Sequence, residues 1–464
     1  MSAPNIKLFK MCSGYYFYDV NKNEIIKIKK KEYEEIKLLC KYPEYNNESE
    51  IINELKQNGY LSSYRVERIN NYYTKYIKDY LNNKLNFVIL QVTQNCNFKC
   101  RYCVYSDDGY YDRKRNSKKM SWEVAKKSID FVKENSQYSN NISFSFYGGE
   151  PLIEYKLIKD CVNYIKKNFF NKNIQFLLTT NGYLFDEEII NFFVENKIYL
   201  TFSLDGPQNI HDKNRRLLAT GEGTYFKVFE NLNKIKKKNL DYFNNYVSIN
   251  AVWDLEESYE TIAKYFMENP DINNLSFKID VVNSGRLNDI FSITSDNFEI
   301  QQYTIFNAFS KYFNFKKGNI TKVEQRFLED YFEFIEKFNP EPYLPKEYHP
   351  NGPCLPGFHR LYININGDFM PCEKISEKTK VLKIGDINRG FNYENIEKLF
   401  NIAKTTEYKC KNCWALRLCS VCALYSDNFE ELSNSSRLEK CSAEKRKIIN
   451  LLKEYIIIKE LQKV

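Results

Sequence analysis

Three closely spaced cysteines form the group in this sequence best suited to metal chemistry. Cys96, Cys100 and Cys103 follow an apolar run over 87–90 that is typical of a buried strand. Three thiolates that leave a strand in one tight loop fill three positions of a metal site and leave one open for an exogenous ligand. A cluster of buried thiols has the same appearance in a sequence. We therefore predict a metal centre here.

A second set of cysteines crowds the C-terminal part of the chain. Seven of the thirteen cysteines lie between Cys354 and Cys441. The central run reads Cys410-x2-Cys413-x5-Cys419-x2-Cys422, and a zinc ribbon separates its two pairs by about 15–20 residues, so this run does not fit one. Because only three histidines are present, a metal site built from histidine is not expected.

Two short motifs follow predicted strands in the middle of the chain. In the first, Gly148 and Gly149 allow a ligand to approach the backbone closely, and the carboxylate of Glu150 can accept hydrogen bonds from an ammonium group. The second motif is Ser203-x-Asp-Gly-Pro, and Arg215 lies downstream of it. An arginine can bind a carboxylate with two parallel hydrogen bonds, which a lysine cannot. Taken alone, the first motif also fits an ordinary turn.

The elements that must position these groups alternate regularly. Strand patterns and helical patterns follow one another from residue 87 to about 282, and six successive βα units imply a parallel sheet with right-handed crossovers. The strands are predicted over 87–92, 142–147, 174–179, 198–204, 247–252 and 275–281. The helices are predicted over 122–134, 155–168, 186–196, 225–238 and 257–268. We expect an α/β fold with a partial (β/α)6 TIM-like barrel, whose site lies at the carboxyl ends of the strands.

The flanking segments have other patterns. Residues 6–11, 15–20 and 24–28 alternate apolar and polar side chains as strands of a meander, and helical patterns over 32–39 and 49–55 follow. An amphipathic helix is predicted over 66–81. Two long helical patterns, 297–315 and 323–338, form a predicted bridge after the barrel.

Composition places the chain among globular proteins. It has 464 residues, 43% apolar and 16% aromatic, which excludes a disordered chain. The net charge of +8 comes from 68 basic and 60 acidic residues spread along the sequence, whereas a nucleic-acid-binding protein concentrates its positive charge. No membrane-spanning stretch and no signal-peptide pattern occur. We expect a cytoplasmic protein that contacts neither membrane nor nucleic acid, where cysteines serve metals or catalysis in preference to disulfides.

The cysteine triplet and the two motifs together resemble the radical S-adenosylmethionine (SAM) enzymes. The resemblance implies that the triplet holds a 4Fe-4S cluster whose fourth iron binds SAM, and that Tyr102 lies near the adenine. It also implies that the Gly-Gly-Glu motif binds the methionyl amino group, while Asp205 and His211 orient their loop. The implied SAM-binding residues are Tyr102, Gly148, Gly149, Glu150, Ser203 and Arg215.

The C-terminal cysteines resemble the SPASM extension of radical SAM peptide maturases, which binds two auxiliary 4Fe-4S clusters. The resemblance assigns Cys410, Cys413, Cys419 and Cys441 to one cluster, and Cys354, Cys372 and Cys422 to the other. The family usually has x3 before the last cysteine of the central run, where this chain has x2. Because no cysteine occurs between Cys161 and Cys354, we expect an open iron on the second of these clusters, to be filled by a substrate thiolate or by His349. Glu373 lies where sulfatase-maturing relatives have an aspartate base, and it could accept a proton; a surface or structural glutamate is the alternative.

The N-terminal pattern resembles the winged-helix peptide-recognition domain of maturases of ribosomally made peptides, in which a leader peptide adds as a strand to a sheet edge; a structural cap is the alternative. The predicted domains are a recognition domain over 1–65, a linker helix over 66–85, the barrel over 86–284, a helical bridge over 285–345 and the SPASM domain over 346–464.

The resemblance implies an enzyme that forms a thioether crosslink in a precursor peptide. Its cofactors would be three 4Fe-4S clusters and SAM, and its partners the precursor peptide with its leader and a reductase such as flavodoxin or ferredoxin. Formylglycine formation and carbon–carbon crosslinking are alternative reactions. A non-catalytic electron carrier or peptide-binding protein is the alternative from another class.

Overall fold

The computed structural model describes most of the chain. The described residues are 2–44, 49–103, 105, 115–254, 256–257, 259–281, 303, 306–313, 320, 324–325, 328–329, 332, 343–350 and 354–461. The predicted bridge over 285–345, with its helical patterns over 297–315 and 323–338, lies mostly outside these residues. Among the described residues, no helix is both long and apolar enough to cross a membrane.

The described elements are as follows. The strands are β1 (Ile6–Met11), β2 (Gly14–Asp19), β3 (Glu24–Ile28), β4 (Arg68–Ile69), β5 (Phe87–Thr93), β6 (Phe98–Cys100), β7 (Asn141–Gly148), β8 (Asn173–Thr180), β9 (Tyr199–Ser203), β10 (Arg215–Leu217), β11 (Val247–Trp253), β12 (Ser276–Val281), β13 (Glu347–Tyr348), β14 (Leu361–Ile363), β15 (Asp368–Met370), β16 (Gly385–Asp386) and β17 (Gly390–Phe391). The helices are α1 (Lys30–Lys41), α2 (Glu50–Gln57), α3 (Ile77–Asn83), α4 (Trp122–Glu134), α5 (Tyr155–Asn168), α6 (Glu187–Glu195), α7 (Gln208–Asn214), α8 (Tyr225–Lys238), α9 (Leu240–Tyr246), α10 (Tyr259–Glu268), α11 (Tyr393–Phe400), α12 (Glu407–Cys410) and α13 (Asn434–Leu461).

The contacts divide the chain into two compact units that are built from segments distant in sequence. The first unit comprises 1–77, 329–355 and 397–464, and the second comprises 78–328 and 356–396. The linear domain limits given above stay predictions.

A three-stranded antiparallel sheet, in the order β1-β2-β3, organises the first unit. The carboxylate of Asp19 fixes the turn after β2, because its Oδ1 accepts hydrogen bonds from the backbone N–H groups of Asn21 at 2.9 Å and Lys22 at 3.0 Å. Alternate residues of β2 point to opposite faces of the sheet. Phe17 belongs to a core with α1 and α2. Tyr16 and Tyr18 belong to a second core, which contains the apolar side of α13.

The second unit is built on one large sheet. The six predicted strands are present as β5, β7, β8, β9, β11 and β12, each within one residue of its predicted ends, and neighbouring strands are parallel. The full order is β12-β11-β9-β8-β7-β5-β14-β15-β16-β17. The described strands do not close a barrel, and the prediction of a partial (β/α)6 barrel is confirmed. The C-terminal part of the chain extends the sheet, because β14 pairs with β5 in parallel.

The two faces of this sheet differ in polarity. In β7, Phe144 and Phe146 are buried, and Phe144 contacts Phe169 at the end of α5. The alternate residues on the other face are half-exposed or exposed, and they are largely polar. They are Ser143, Ser145 and Tyr147 of β7, Gln175, Leu177 and Thr179 of β8, Thr201 and Ser203 of β9, and Ser248, Asn250 and Val252 of β11. The sheet therefore presents a polar face opposite its helices.

The helix predicted over 66–81 is wrong in its first half. Residues 68–69 form β4, which pairs with β13, and Ile69 donates its N–H to Glu407 Oε1 at 2.8 Å. The side chain of Asn71 then caps a short 3-10 turn, and the α-helix begins only at Ile77. These tertiary hydrogen bonds outweigh the local amphipathic pattern.

Candidate active site

The cysteine loop leaves the carboxyl end of β5 and is held by a short strand pair. In this pair β6 runs antiparallel to β10, so that Arg215 lies opposite Cys100. Leu218 donates its N–H to Asn97 O at 2.8 Å. The loop and the segment that contains Arg215 are thus joined through their backbones.

The three thiols of this loop lie near one another. Burial raises the pKa of Cys96 to about 12, and the neighbouring charge of Cys103 contributes in the same direction. The pKa of Cys100 is raised by burial and by both other thiols. The described residues do not place three cysteine, histidine or carboxylate groups as ligands of a single metal ion. A 4Fe-4S cluster would take one of these thiolates on each of three iron atoms.

The two glycines of the Gly-Gly-Glu motif pack against the chain just before Cys96. A Cβ at Gly148 would lie 2.0 Å from Thr93 O, and one at Gly149 would lie 2.1 Å from Asn95 O. The N–H groups of Gly149 and Glu150 donate to those same oxygens at 3.0 and 2.8 Å. Because these two residues have no side chain, the turn after β7 can pack directly against the start of the cysteine loop.

Glu150 is fully buried and already accepts three hydrogen bonds. Its Oε1 accepts from Thr180 Oγ1 at 2.8 Å and from Leu152 N at 3.0 Å, and its Oε2 accepts from Asn181 N at 2.7 Å. Burial raises its pKa to about 7, although these hydrogen bonds act in the opposite direction. Glu150 therefore ties the ends of β7 and β8 together, and its predicted contact with an ammonium group would add to this role.

A buried ion pair links the predicted SAM-contacting residues. Arg215 Nε donates to Asp205 Oδ2 at 3.0 Å, and the Tyr102 hydroxyl donates to the same oxygen. The guanidinium carbon of Arg215 lies 5.3 Å from the centre of the Tyr102 ring. Burial lowers the pKa of Arg215, but the nearby acidic groups, above all the carboxylate of Asp205, together raise it by more, so the pKa of Arg215 lies above its usual value. Ser203 ends β9 on the polar face and is half-buried.

His211 holds the backbone of Asp205, the shared partner of Arg215 and Tyr102, in place. Its Nδ1 accepts from Asp205 N at 3.4 Å, and its Nε2 lies 3.0 Å from the Thr224 hydroxyl. Burial lowers its pKa to about 4, so the ring is neutral at pH 7. His211 therefore orients the loop that carries Asp205.

Four of the C-terminal cysteines are gathered in the first unit. Cys410 and Cys441 lie close enough to Cys413 for their negative charge to raise its pKa. Cys413 has the same effect on the pKa of Cys419. Burial raises the pKa of each of Cys410, Cys413 and Cys419. Arg437 and Lys445 lie close enough to Cys410 to favour its thiolate. This set of thiols beside cationic groups has the chemistry of a cluster site.

The other predicted cluster ligands are divided between the two units. Cys354 and Cys422 belong to the first unit and Cys372 to the second, and their shared role stays a prediction. His349 lies 2.8 Å from Pro350 O through Nδ1, and its Nε2 accepts from Ala403 N at 3.1 Å. Because both ring nitrogens bind backbone, His349 is a structural histidine in this fold and not a poised iron ligand.

Two glutamates after β15 approach the sheet. Glu373, the predicted base, forms an ion pair with Arg360 at 2.6 Å. Glu377, which the sequence motifs do not single out, accepts hydrogen bonds from Gln91 and Gln94, the second of which precedes the cysteine loop. No local pattern marks Glu377, because its partners lie more than 280 residues away in sequence.

Comparisons with known proteins agree with this arrangement. Residues 90–266 match the family described as the Radical SAM superfamily. A cysteine-type anaerobic sulfatase-maturating enzyme of Clostridium novyi is 27% identical over 345 residues, which cover 72% of this chain and 86% of that protein. The radical SAM cyclopropyl synthase TigE of Paramaledivibacter caminithermalis is 24% identical over 248 residues, half of each chain. The solved structure of native anSMEcpe with bound AdoMet and Cp18Cys peptide has a TM-score of 0.57 at 20% identity, covers 82% of this chain and 100% of its own, and shows the fold.

Proposed function

Because the chain is a radical SAM enzyme with a SPASM domain, we propose that it forms a thioether crosslink between a cysteine and a carbon atom of a ribosomally made precursor peptide. The observation that carries the proposal is the distribution of the C-terminal cysteines. Four of them gather in the first unit, and only three, Cys354, Cys372 and Cys422, remain for a further cluster. A cluster with three protein ligands has room for a substrate thiol.

The residues near the cysteine loop fit the predicted cofactors. Cys96, Cys100 and Cys103 would hold the first cluster, and Arg215 and Tyr102 lie beside it, where SAM would bind. When bound, these groups supply a 5'-deoxyadenosyl radical that removes a hydrogen atom from a substrate carbon. The chain itself orients the peptide, and the hydroxyl and amide groups of the polar sheet face can hydrogen-bond an extended peptide there.

The N-terminal sheet is the proposed site for the leader peptide. Within the described residues, β1 and β3 each pair only with β2, so each has one unpaired edge. An extended peptide can add to such an edge by main-chain hydrogen bonds. Electrons would come from a reductase such as flavodoxin or ferredoxin.

The test uses the anaerobically purified protein, SAM, a reductant and a cysteine-containing precursor peptide with its leader. We expect the peptide to lose two hydrogens and one titratable thiol. The Cys96→Ala, Cys100→Ala, Cys103→Ala triple variant is the control and should produce no 5'-deoxyadenosine. A peptide of unchanged mass despite SAM cleavage would contradict the thioether proposal.

Formylglycine formation is the second candidate, because sulfatase-maturating enzymes are among the relatives. Its product carries an aldehyde that a hydrazide probe detects. Carbon–carbon crosslinking also removes two hydrogens but leaves every thiol open to alkylation. Mass, thiol count and reaction with the hydrazide probe together therefore separate the three reactions.

A further inference from the structure

Two carboxylates of the segment after β15 lie at different levels along β5. Arg360, the partner of Glu373, lies 5.9 Å from the ring of Phe87, the first residue of β5. Glu377 instead contacts Gln91 near the end of this strand and Gln94 beyond it. At about 3.3 Å per residue, the levels of Phe87 and Gln91 differ by roughly 13 Å. Glu377 is therefore the carboxylate on the side of the cysteine loop.

The contacts of Glu377 join it to both ends of that loop. Gln94 lies two residues before Cys96. Gln91 binds Glu377 Oε1 at 2.5 Å and the Tyr105 hydroxyl at 2.8 Å through the same amide nitrogen. Tyr362 of β14 lies 3.4 Å from Glu377 Oε1 through its hydroxyl. These amide and hydroxyl contacts fix the position of the carboxylate, while the side chain as a whole is only half-buried.

Other carboxylates at this edge of the sheet have structural tasks. Glu150 is fully buried and accepts three hydrogen bonds from β8 and its own turn. Asp205 is fully buried and neutralises Arg215. A group that must meet a substrate thiol has to be reachable, and Glu377 meets this requirement better than either of them.

We propose that Glu377, in place of Glu373, is the acid–base residue that accepts the proton of the substrate thiol. The assignment rests on the proposed function. Removal of a hydrogen atom leaves a radical on the substrate carbon. When the thiol sulfur bonds to that carbon, the S–H bond breaks, its proton passes to the Glu377 carboxylate, and one electron passes to an oxidant of the iron–sulfur class. One C–S bond thus replaces one C–H and one S–H bond, and the peptide loses two hydrogens.

The test compares Glu377→Gln with Glu373→Gln as its matched control. In the Glu377→Gln variant, the new amide oxygen can still accept from Gln91, but an amide cannot take up the proton. We expect crosslinked peptide to fall by about 100-fold or more in Glu377→Gln, since general base catalysis contributes about 10²–10⁴-fold. Formation of 5'-deoxyadenosine should stay within about threefold of wild type, so that the ratio of 5'-deoxyadenosine to crosslinked peptide rises. Glu373→Gln should keep the wild-type ratio.

Four further measurements make the result decisive. Iron content and the SAM dissociation constant of Glu377→Gln should equal those of wild type, and urea unfolding of the metal-free chains should give similar midpoints. Glu377→Asp, which keeps a carboxylate, should recover part of the crosslinking.

If SAM cleavage and crosslinking fall together in Glu377→Gln, Glu377 only positions the loop and the proposal is wrong. The proposal is also wrong if Glu373→Gln shows the larger loss of crosslinking. A wild-type enzyme that modifies no cysteine peptide would overturn the proposed function and this assignment with it, whereas equal crosslinking by both variants would overturn the assignment alone.

Discussion

Asp205 joins three parts of the site through one side chain. Its Oδ2 binds Arg215 and Tyr102, and its Oδ1 accepts from Val252 N at 3.0 Å. Both members of the ion pair are buried. A buried pair contributes little compared with apolar packing, but removal of one member leaves an uncompensated charge in the interior. The motif Ser-x-Asp-Gly-Pro thus contains a residue whose substitution is costly even without cofactor.

We expect Asp205→Asn to lower the free energy of unfolding of the metal-free protein by about 3–5 kcal/mol, because Arg215 loses its counter-charge. Urea unfolding followed by circular dichroism measures this change. Lys159→Ala, which breaks the exposed Lys159–Glu188 pair, is the control and should leave the midpoint unchanged. Equal midpoints for Asp205→Asn and wild type would show that Arg215 finds another partner.

His349 gives a pH-dependent contribution to stability. Burial lowers its pKa from 6.5 to about 4, so between these values the unfolded chain binds a proton that the folded chain does not. The contribution is therefore complete above pH 6.5 and is lost as the pH falls towards 4. A difference of this size corresponds to about 3 kcal/mol.

We expect the metal-free His349→Gln variant to lose less stability than wild type between pH 6.5 and 4, measured by urea unfolding at several pH values. Its iron content after reconstitution should equal that of wild type, because the ring nitrogens bind Pro350 and Ala403 in the fold. Loss of iron in this variant would instead make His349 a cluster ligand.

The helices and strands of the second unit could be predicted where a periodic pattern of apolar residues within the element itself defines them. The helices predicted over 122–134, 155–168 and 225–238 coincide with α4, α5 and α8, because each has an apolar face of helical period on the sheet. The short strand β14 was not predicted, since its pairing with β5 joins residues more than 270 positions apart. The same holds within the site: the thiols and motifs are visible in the sequence, whereas Glu377 is brought to Gln94 only by the fold.

At the same scale, the turn at the end of β7 positions the cysteine loop. We expect Gly149→Ala to displace this loop, because the added Cβ would meet Asn95 O at 2.1 Å. With the three proposed clusters bound, iron content should fall by about four of about twelve atoms per chain. Gly221→Ala is a suitable control, since nothing lies within 4 Å of a Cβ there and its φ of +73° gives only a local strain of about 1 kcal/mol. A full complement of iron in Gly149→Ala would show that the loop tolerates the displacement.

At the scale of the whole molecule, the N-terminal sheet belongs to the same unit as the four gathered cysteines. Tyr16 and Tyr18 share a core with Leu416 and Leu452, and Cys410 packs against this core. The segment between Cys413 and Cys419 also contains Arg417, which is buried and donates to Asn21 O in the turn after β2 at 3.0 Å. The N-terminal sheet and the segment that carries the four gathered cysteines therefore share one core, and we expect the proposed auxiliary cluster to depend on the sheet for its stability.

Deletion of residues 2–65 tests this dependence. If the sheet were an independent module, the truncated chain would bind all of its iron and lose only affinity for the leader peptide. We expect instead that removal of the shared core uncovers Leu416 and Leu452 and leaves Arg417 without its carbonyl partner, so that the four gathered cysteines lose their arrangement. Iron content should then fall from about twelve to about eight atoms per chain, while SAM cleavage, which depends on the second unit, persists. A truncated chain that still binds about twelve iron atoms would show that the sheet is dispensable for the cluster.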